Sequence, residues 1–279
     1  MSLLSRDELR VVLSRDQVQL VRLGREFTFK GWSYRVLDKR VLPCTEDADS
    51  QWLNAVKTLE AGLSGLPFKP AFAQVILSNY FMRYAMIPWS ESLGSKAEEV
   101  AYAKHCFSQL YGTQLDSWEL RVSQDFPGAP QFASAVDGEL INSLRTLFAN
   151  AKVKLRSVQP YLMTAYNNCS SAMQQKNAWF VLFEHGNLCL GFIRQGRWSS
   201  VRTIKVGSDW LDKLAETIDR ESHLSEQDTS SDEIFLWAPE HRGTALSQRG
   251  KWKINRLQPI ILPSLAREYD VQFAMAMCG

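Results

Sequence analysis

The chain has 279 residues, of which 45% are hydrophobic and 22% are charged. This balance is that of an ordinary globular protein, and it excludes a disordered, collagen-like or coiled-coil chain. Lysine and arginine number 32 against 30 aspartate and glutamate residues, which gives a net charge of +2. Nucleic-acid binders carry a basic face that would raise this excess, so we expect no nucleic-acid partner. The length allows one large domain or two moderate ones.

The cysteine and histidine pattern predicts no metal site. The five cysteines are an odd number and no two of them are close in sequence, which favours thiols in a reducing compartment over a disulfide framework. His105 and Cys106 are adjacent, so on a helix they would point about 100° apart and could not easily share a metal. Apolar runs such as Ala73–Leu77 are far shorter than the about 20 residues that cross a bilayer. We therefore expect neither a metal site nor a membrane-spanning segment.

The first elements in the chain have the alternation of strands. Leu9–Leu13 predicts a short strand, and apolar residues at a spacing near two continue to Val36. Ser14–Asp16 and Gly24–Glu26 are typical of tight connections, so we predict a three-stranded meander. A helix follows, because apolar residues recur there at spacings of three and four: Trp52, Leu53, Val56, Leu59 and Leu63.

The middle of the chain carries clear helix and strand signals. Asp49 or Ser50 would cap the first helix, and Phe72–Leu77, which is apolar except for Gln74, is typical of a strand buried on both faces. Ser95 and Glu98 have the spacing of a capping box, which predicts a second helix. Further on, Asp137 predicts the N-cap of a third helix, and Pro160 the first residue of a fourth.

The opening order of elements then returns. Ser208 is the predicted cap of a helix, and Ile234–Trp237 is another buried strand. Three predicted strands precede that helix: Trp179–Phe183, Leu188–Arg194 and Trp198–Val206. Three strands, a helix and a strand therefore occur twice, near 9–77 and 178–237.

A duplicated order of this kind is typical of the actin-like, ribonuclease-H-like fold. We therefore predict an α/β protein of that class with two halves, residues 1–168 and 169–279. Each half would have a three-stranded meander, a mixed sheet and helices. The fold class alone does not define a function.

Two local patches sharpen this prediction. Val75–Tyr84 contains a strand that ends in Leu-Ser, followed by an Arg-Tyr pair, and Ile87–Trp89 adds a Pro-Trp pair. Together they resemble the PilM proteins of type IV pili, the MshI proteins of mannose-sensitive pili and the cytoplasmic domain of the GspL proteins of type II secretion. Val158–Leu162 and Ala165–Asn167 form a second matching patch. The resemblance implies an actin-like fold and a cytoplasmic role, peripheral to the inner membrane, in an assembly platform.

The resemblance does not imply ATP hydrolysis, because the phosphate-binding positions differ. Nucleotide-binding members carry an Asp-x-Gly turn, in which Asp holds the metal and Gly admits the phosphate. Here Val12 and Ser14 stand where Asp and Gly would be, and Leu182 stands at the second Asp position. Leu236–Glu240 replaces the Gly-Gly turn that approaches adenosine. We therefore expect no cofactor and no catalytic residue, while an ATP-binding enzyme of the same superfamily with altered phosphate loops is the alternative.

Other polar residues near these loops admit two interpretations. Asp16, Glu184 and His185 could form a displaced acid/base group, although Asp16 and His185 fit better as ordinary polar turn residues. A self-assembling filament is a weaker hypothesis, because filament formation usually needs the nucleotide-controlled closure that the altered loops argue against.

The leading hypothesis is a scaffold that docks a short cytoplasmic peptide of a bitopic inner-membrane protein, as in PilM-like systems. The candidate contacts are Asn79, Arg83, Tyr84 and Trp89, in a segment too irregular for a plain helix or strand. Trp89 and Trp237 lie at strand ends and are the predicted surface tryptophans. Arg83 could instead be a structural residue that bonds to backbone carbonyls. The chain would reach the membrane only through this partner, and a homodimer is possible.

Overall fold

The computed structural model describes residues 7–29, 31–45, 52–66, 70–112, 117–123, 126–224, 231–244 and 251–278. Its strands form two sheets of five strands and one sheet of three. In these ranges no helix is both long and apolar enough to cross a membrane.

The first sheet has the strand order β3-β2-β1-β4-β8. Its strands are β1 (Glu8–Leu13), β2 (Gln17–Thr28), β3 (Gly31–Pro43), β4 (Phe72–Leu77) and β8 (Lys154–Pro160). β1 runs antiparallel to β2 and parallel to β4, which in turn runs parallel to β8. The predicted meander is confirmed, and β4 lies inside the sheet between β1 and β8, as its largely apolar sequence predicts.

One predicted turn of the meander is wrong. Gly24 lies inside β2, opposite Arg35 of β3, and the strands reverse only after Thr28. A Cβ on Gly24 would lie 3.1 Å from a methyl carbon of Leu37, so the glycine serves close packing within the sheet and not a turn. Helix α1 (Leu53–Ser64) packs on this sheet with Trp52 as its N-cap, and the predicted caps Asp49 and Ser50 lie outside the described residues.

The three-stranded sheet has the order β5-β7-β6 and follows β4 in the chain. Its strands are β5 (Met82–Ile87), β6 (Trp118–Val122) and β7 (Gln131–Asp137), and helix α2 (Lys96–Tyr111) packs against it. The capping box predicted for α2 is confirmed, since Ser95 and Glu98 each bond to the other's backbone N–H.

Two more helices lead to the second half of the chain. Asp137 caps helix α3 (Gly138–Asn150) by accepting a hydrogen bond from the N–H of Glu139, as predicted. Helix α4 (Tyr161–Cys169) begins one residue after the predicted position, with Pro160 as its N-cap.

The second sheet repeats the first, with the strand order β11-β10-β9-β12-β13. Its strands are β9 (Ala178–Glu184), β10 (Asn187–Arg194), β11 (Arg197–Lys205), β12 (Glu233–Trp237) and β13 (Lys253–Arg256). The predicted repeat of three strands, a helix and a strand is confirmed, and β12 is central like β4. Helix α5 (Leu214–Leu224) begins later than predicted, because turns follow Ser208. Trp210 lies in these turns and stacks on Phe183, with 4.2 Å between the ring centroids.

The end of the described chain returns to the first sheet. Helix α6 (Ala274–Met277) packs on β1, and the buried guanidinium of Arg10 donates to the carbonyls of Ala276 and Cys278 at 3.3 and 3.0 Å. Glu8 pairs with the same guanidinium at 2.9 Å. The predicted boundary between residues 168 and 169 falls within α4 and stays a prediction.

Candidate functional site

Two of the four predicted partner contacts are interior residues. Asn79 and Tyr84 are buried, and the Tyr84 hydroxyl donates to the Asn79 side-chain oxygen at 2.6 Å. The N–H of Leu162 donates to the same oxygen at 3.1 Å. Because these bonds join the crossover after β4 to the start of α4, we revise the role of both residues from partner contact to support of this crossover.

The other two predicted contacts are more accessible. Arg83 donates to the carbonyls of Tyr80 and Met82 at 3.3 and 2.8 Å, as its structural interpretation expects, and its guanidinium lies 5.6 Å from the ring centroid of Trp118. Trp89 is 39% exposed at the far end of β5, so its role as a contact stays a prediction.

Two further expectations for these residues are wrong. Trp237, the other predicted surface tryptophan, is fully buried within the central strand β12. Residues 82–87 form the regular strand β5, where we expected irregular structure. Their apolar pattern does not alternate because β5 is largely buried on both faces.

The larger of two candidate sites is a cleft of about 510 Å³ at the ends of both five-stranded sheets. The β1–β2 turn lines it from the first sheet and the β9–β10 turn from the second. Val12 is buried at its floor, while Asp16 and His185 are exposed on the two turns. The positions of these two residues agree with the turn interpretation.

Glu184 connects the two sides of this cleft. Its carboxylate accepts a hydrogen bond from the N–H of Asn79 at 2.8 Å, so the end of β9 is tied to the crossover after β4. Burial raises the pKa of Glu184, and hydrogen bonds from Ser78 and Asn79 oppose that increase. Burial likewise raises the pKa of the nearby Tyr161 hydroxyl, and the charges of Glu184 and Glu240 add to the effect. The most buried carboxylate of the cleft is therefore held by the chain itself.

The cleft does not fit a magnesium nucleotide of the kind that the fold class binds. At the two positions where nucleotide-binding members of the fold class carry an aspartate stand Val12 and Leu182, which are buried apolar residues, and Glu184 is bonded across the cleft. After β12, Pro239 starts a short 3-10 turn where close backbone approach to a nucleotide would need glycine. Within the described ranges, no three histidine, cysteine or acidic side chains cluster as metal ligands.

The second candidate site is a groove of about 340 Å³ between the first sheet and the three-stranded sheet. Residues Leu155 to Pro160 of β8 line one side of it. In the described part of the chain β8 pairs only with β4, so its outer edge faces the groove without a strand partner. The opposite wall is formed by side chains of β5, β6, β7 and α3: Met82, Glu119, Arg121, Ser134, Val136, Ile141 and Arg145.

The groove combines an apolar floor with an arginine-rich rim. The guanidinium of Arg145 donates hydrogen bonds to both carboxylate oxygens of Glu119, at 2.8 and 3.2 Å. The guanidinium of Arg156 lies 4.2 Å from the ring centroid of Phe72, and Arg121 is exposed. Sequence analysis missed this site because its walls come from segments far apart in the chain. The one local signal is the alternation of exposed and half-buried residues along the first part of β8, which is typical of an edge strand.

Comparison with solved structures identifies the fold. The chain is similar to the PilM–PilN type IV pilus biogenesis complex, with a TM-score of 0.66 and 11% identity over 96% of each chain. It is also similar to the cytoplasmic domain of EpsL, an inner-membrane component of the type II secretion system of Vibrio cholerae, with a TM-score of 0.55 and 11% identity over 96% of this chain and 92% of that one.

A third similar structure is a Bacteroides thetaiotaomicron protein with an actin-like ATPase fold and unknown function, with a TM-score of 0.52 and 8% identity over 83% of this chain and 81% of that one. The predicted actin-like fold is therefore confirmed. No family model and no curated protein sequence matches the chain.

Proposed function

We propose that the protein is a non-catalytic scaffold of a type IV pilus or type II secretion assembly platform, which docks the cytoplasmic segment of a bitopic inner-membrane partner. The observation that carries this proposal is the groove beside the unpaired edge of β8. The similar PilM structure is itself described as a complex with a second protein, PilN. The composition of the cleft, which is unsuited to a magnesium nucleotide, supports the non-catalytic part.

The groove has the two features that recognition of an extended peptide needs. The free edge of β8 offers backbone N–H and C=O groups to a sixth strand, which is the basis of β-strand addition. The apolar floor at Met82, Val136 and Ile141 would receive alternate side chains of that strand. The exposed Arg121 at the rim would favour an acidic side chain of the peptide. A bound peptide would bridge the first sheet and the three-stranded sheet.

In this role the protein is cytoplasmic and peripheral to the inner membrane, and the partner holds it there. Self-association into a homodimer is compatible with this arrangement, because the groove is a single surface of one chain.

Trp89 lies beyond the opposite end of β5 from Met82, about 20 Å away at the rise of a strand. Trp89 is therefore a second, separable candidate contact.

The test is the affinity of a synthetic peptide copied from the cytoplasmic segment of a PilN-like partner. Ser134 lies on β7 and faces the groove, so Ser134→Trp should fill the groove and remove measurable binding. Ser134→Ala is the matched control, since it removes the hydroxyl without filling the space, and it should bind like the wild type. Thermal melting of each variant shows that the fold is intact.

Two results would contradict the proposal. Equal affinity of Ser134→Trp and wild type for the peptide would remove the groove as the docking site. Micromolar binding of Mg-ATP by calorimetry, or its hydrolysis, would support the ATP-binding alternative in place of the non-catalytic scaffold.

A further inference from the structure

A third pocket, of about 500 Å³, joins three segments that are far apart in the chain. Lys39 of β3 lines it from the first sheet. Arg242, which directly follows the 3-10 turn after β12, lines it from the second half of the chain. Residues 267–271, which precede α6, line the rest, and the pocket adjoins the cleft at Val271. All of these lining residues belong to the described ranges.

Two arginine side chains of this pocket are not engaged by the chain. Arg242 and Arg267 are exposed, and among the described residues neither guanidinium makes a hydrogen bond or an ion pair. Lys39, by contrast, donates to the carbonyl of Glu268 at 3.0 Å and lies 3.9 Å from the Asp270 carboxylate. Because Lys39 offsets the charge of Asp270, the pocket presents two arginine charges against one remaining carboxylate, that of Glu268.

The hydroxyl of Tyr269 is a third unused polar group of the pocket. It is buried and has no hydrogen-bond partner in the described chain, which is unfavourable for a polar group. Burial raises the pKa of Tyr269, and the positive charge of Arg242 opposes that increase. The hydroxyl is therefore protonated at neutral pH and can donate a hydrogen bond next to a guanidinium.

We propose that this pocket binds a phosphate group, which Arg242 and Arg267 hold while Tyr269 donates a further hydrogen bond. A phosphate group offers three acceptor oxygens and up to two negative charges, which match two guanidiniums and one hydroxyl. A carboxylate offers two oxygens and one charge, so it satisfies these three donors less well. The bound group would join the turn after β12 to the segment that Lys39 holds on β3. This site goes beyond the proposed function, because peptide docking in the groove does not need it.

Calorimetric titration of the full chain with inorganic phosphate, at constant ionic strength, tests this proposal. The wild type should bind phosphate, and it should bind acetate more weakly. Arg267→Gln should lower the affinity for phosphate about fivefold or more, since a charge-assisted hydrogen bond is lost. Lys104→Gln is the matched control, because it removes one positive charge from an exposed position of α2, and it should bind like the wild type.

A substitution of the acidic residue should have the opposite sign. Glu268→Gln should raise the affinity for phosphate, because it removes the negative charge beside the two arginines. Tyr269→Phe removes only the hydroxyl, so it should weaken binding less than Arg267→Gln does. A general effect of net charge would instead make Lys104→Gln as weak as Arg267→Gln, and this result would contradict the proposal.

Thermal melting gives an independent measurement of the same site. Phosphate should raise the melting temperature of the wild type more than that of Arg267→Gln, because a ligand that binds only the folded state stabilises it. If Arg267→Gln is itself less stable, Arg242→Gln replaces it. Titration with glycerol 3-phosphate separates the two sources of the group: tighter binding than that of inorganic phosphate assigns a phosphate ester, and weaker binding assigns free phosphate. The proposal is overturned if the wild type binds neither compound, or if both arginine variants bind phosphate as tightly as the wild type does.

Discussion

The cleft and the groove are both large enough for a ligand, but their polar groups differ in the hydrogen bonds that they already make. In the cleft, Glu184 accepts the N–H of Asn79 from the opposite side, so a buried carboxylate is used to hold the two sides together. In the groove, the edge of β8 has backbone groups with no strand partner in the described chain. The cleft leaves single buried atoms of the described chain without a hydrogen-bond partner, such as Oε1 of Glu184, whereas the groove offers a continuous strand edge. This continuous edge, and not cavity volume, favours the groove as the site of peptide binding.

This comparison predicts opposite effects for substitutions in the cleft and substitutions on the binding surfaces. Changes in the cleft should lower stability and leave peptide affinity unchanged in the folded protein. Changes on the binding surfaces should lower peptide affinity and leave stability unchanged.

The largest effect is expected for Trp237→Ala at the end of β12, next to Ala238 in the lining of the cleft. Trp237 is fully buried in β12 where the fold class would place its adenosine turn, and its removal leaves a large cavity. The free energy of unfolding should fall by about 3–5 kcal/mol, measured by denaturant titration. Trp237→Phe should lose less, and a Trp237→Ala protein with wild-type stability would show that this position is not part of the core.

Trp89→Ala tests the second candidate contact for the partner. If Trp89 is an aromatic anchor, peptide affinity should fall by about 2–4 kcal/mol while the melting temperature is unchanged. Arg83→Ala should weaken binding less, because its guanidinium is bonded to two backbone carbonyls. Unchanged affinity of Trp89→Ala, together with loss in Ser134→Trp, would assign binding to the groove alone.

Val12→Asp places a carboxylate where nucleotide-binding members of the fold class have one. Val12 is buried at the floor of the cleft, so an unpaired carboxylate there should lower the unfolding free energy by about 1–3 kcal/mol. ATP hydrolysis should not appear, since the other phosphate-binding positions are unchanged. Val12→Ala separates the effect of lost volume from that of charge, and equal melting temperatures for wild type and Val12→Asp would contradict the buried position.

The smallest effect is the pH dependence of the bond across the cleft. Burial raises the pKa of Glu184, so the folded state favours the protonated carboxyl. Its contribution to stability is then fully present below the ordinary pKa of 4.5 and is lost as the pH rises through the higher folded value. Relative to Glu184→Gln, which does not titrate, the unfolding free energy of the wild type should fall between acidic and neutral pH. A constant difference across that range in urea titrations would show that this carboxyl is solvated.

The sequence by itself determined the elements whose signals are local. The apolar runs of β4 and β12, interrupted in β4 only by the half-buried Gln74, identified two strands that lie inside their sheets, because a strand covered on both faces needs apolar residues at most positions. The capping box at Ser95 and Glu98 and the cap at Asp137 located two helix starts, since those bonds join residues two or three apart. The repeated order of these elements was enough to predict the actin-like fold.

Only the tertiary structure decided which residues are accessible and which surfaces they form. Asn79, Tyr84 and Trp237 have polar or aromatic side chains that fit a surface equally well, and their burial follows from contacts with residues such as Leu162, distant in the chain. The groove depends on the pairing that leaves β8 at the edge of the first sheet, beside strands of another sheet. Each of these features is a long-range spatial relation, which local spacing in the sequence does not encode.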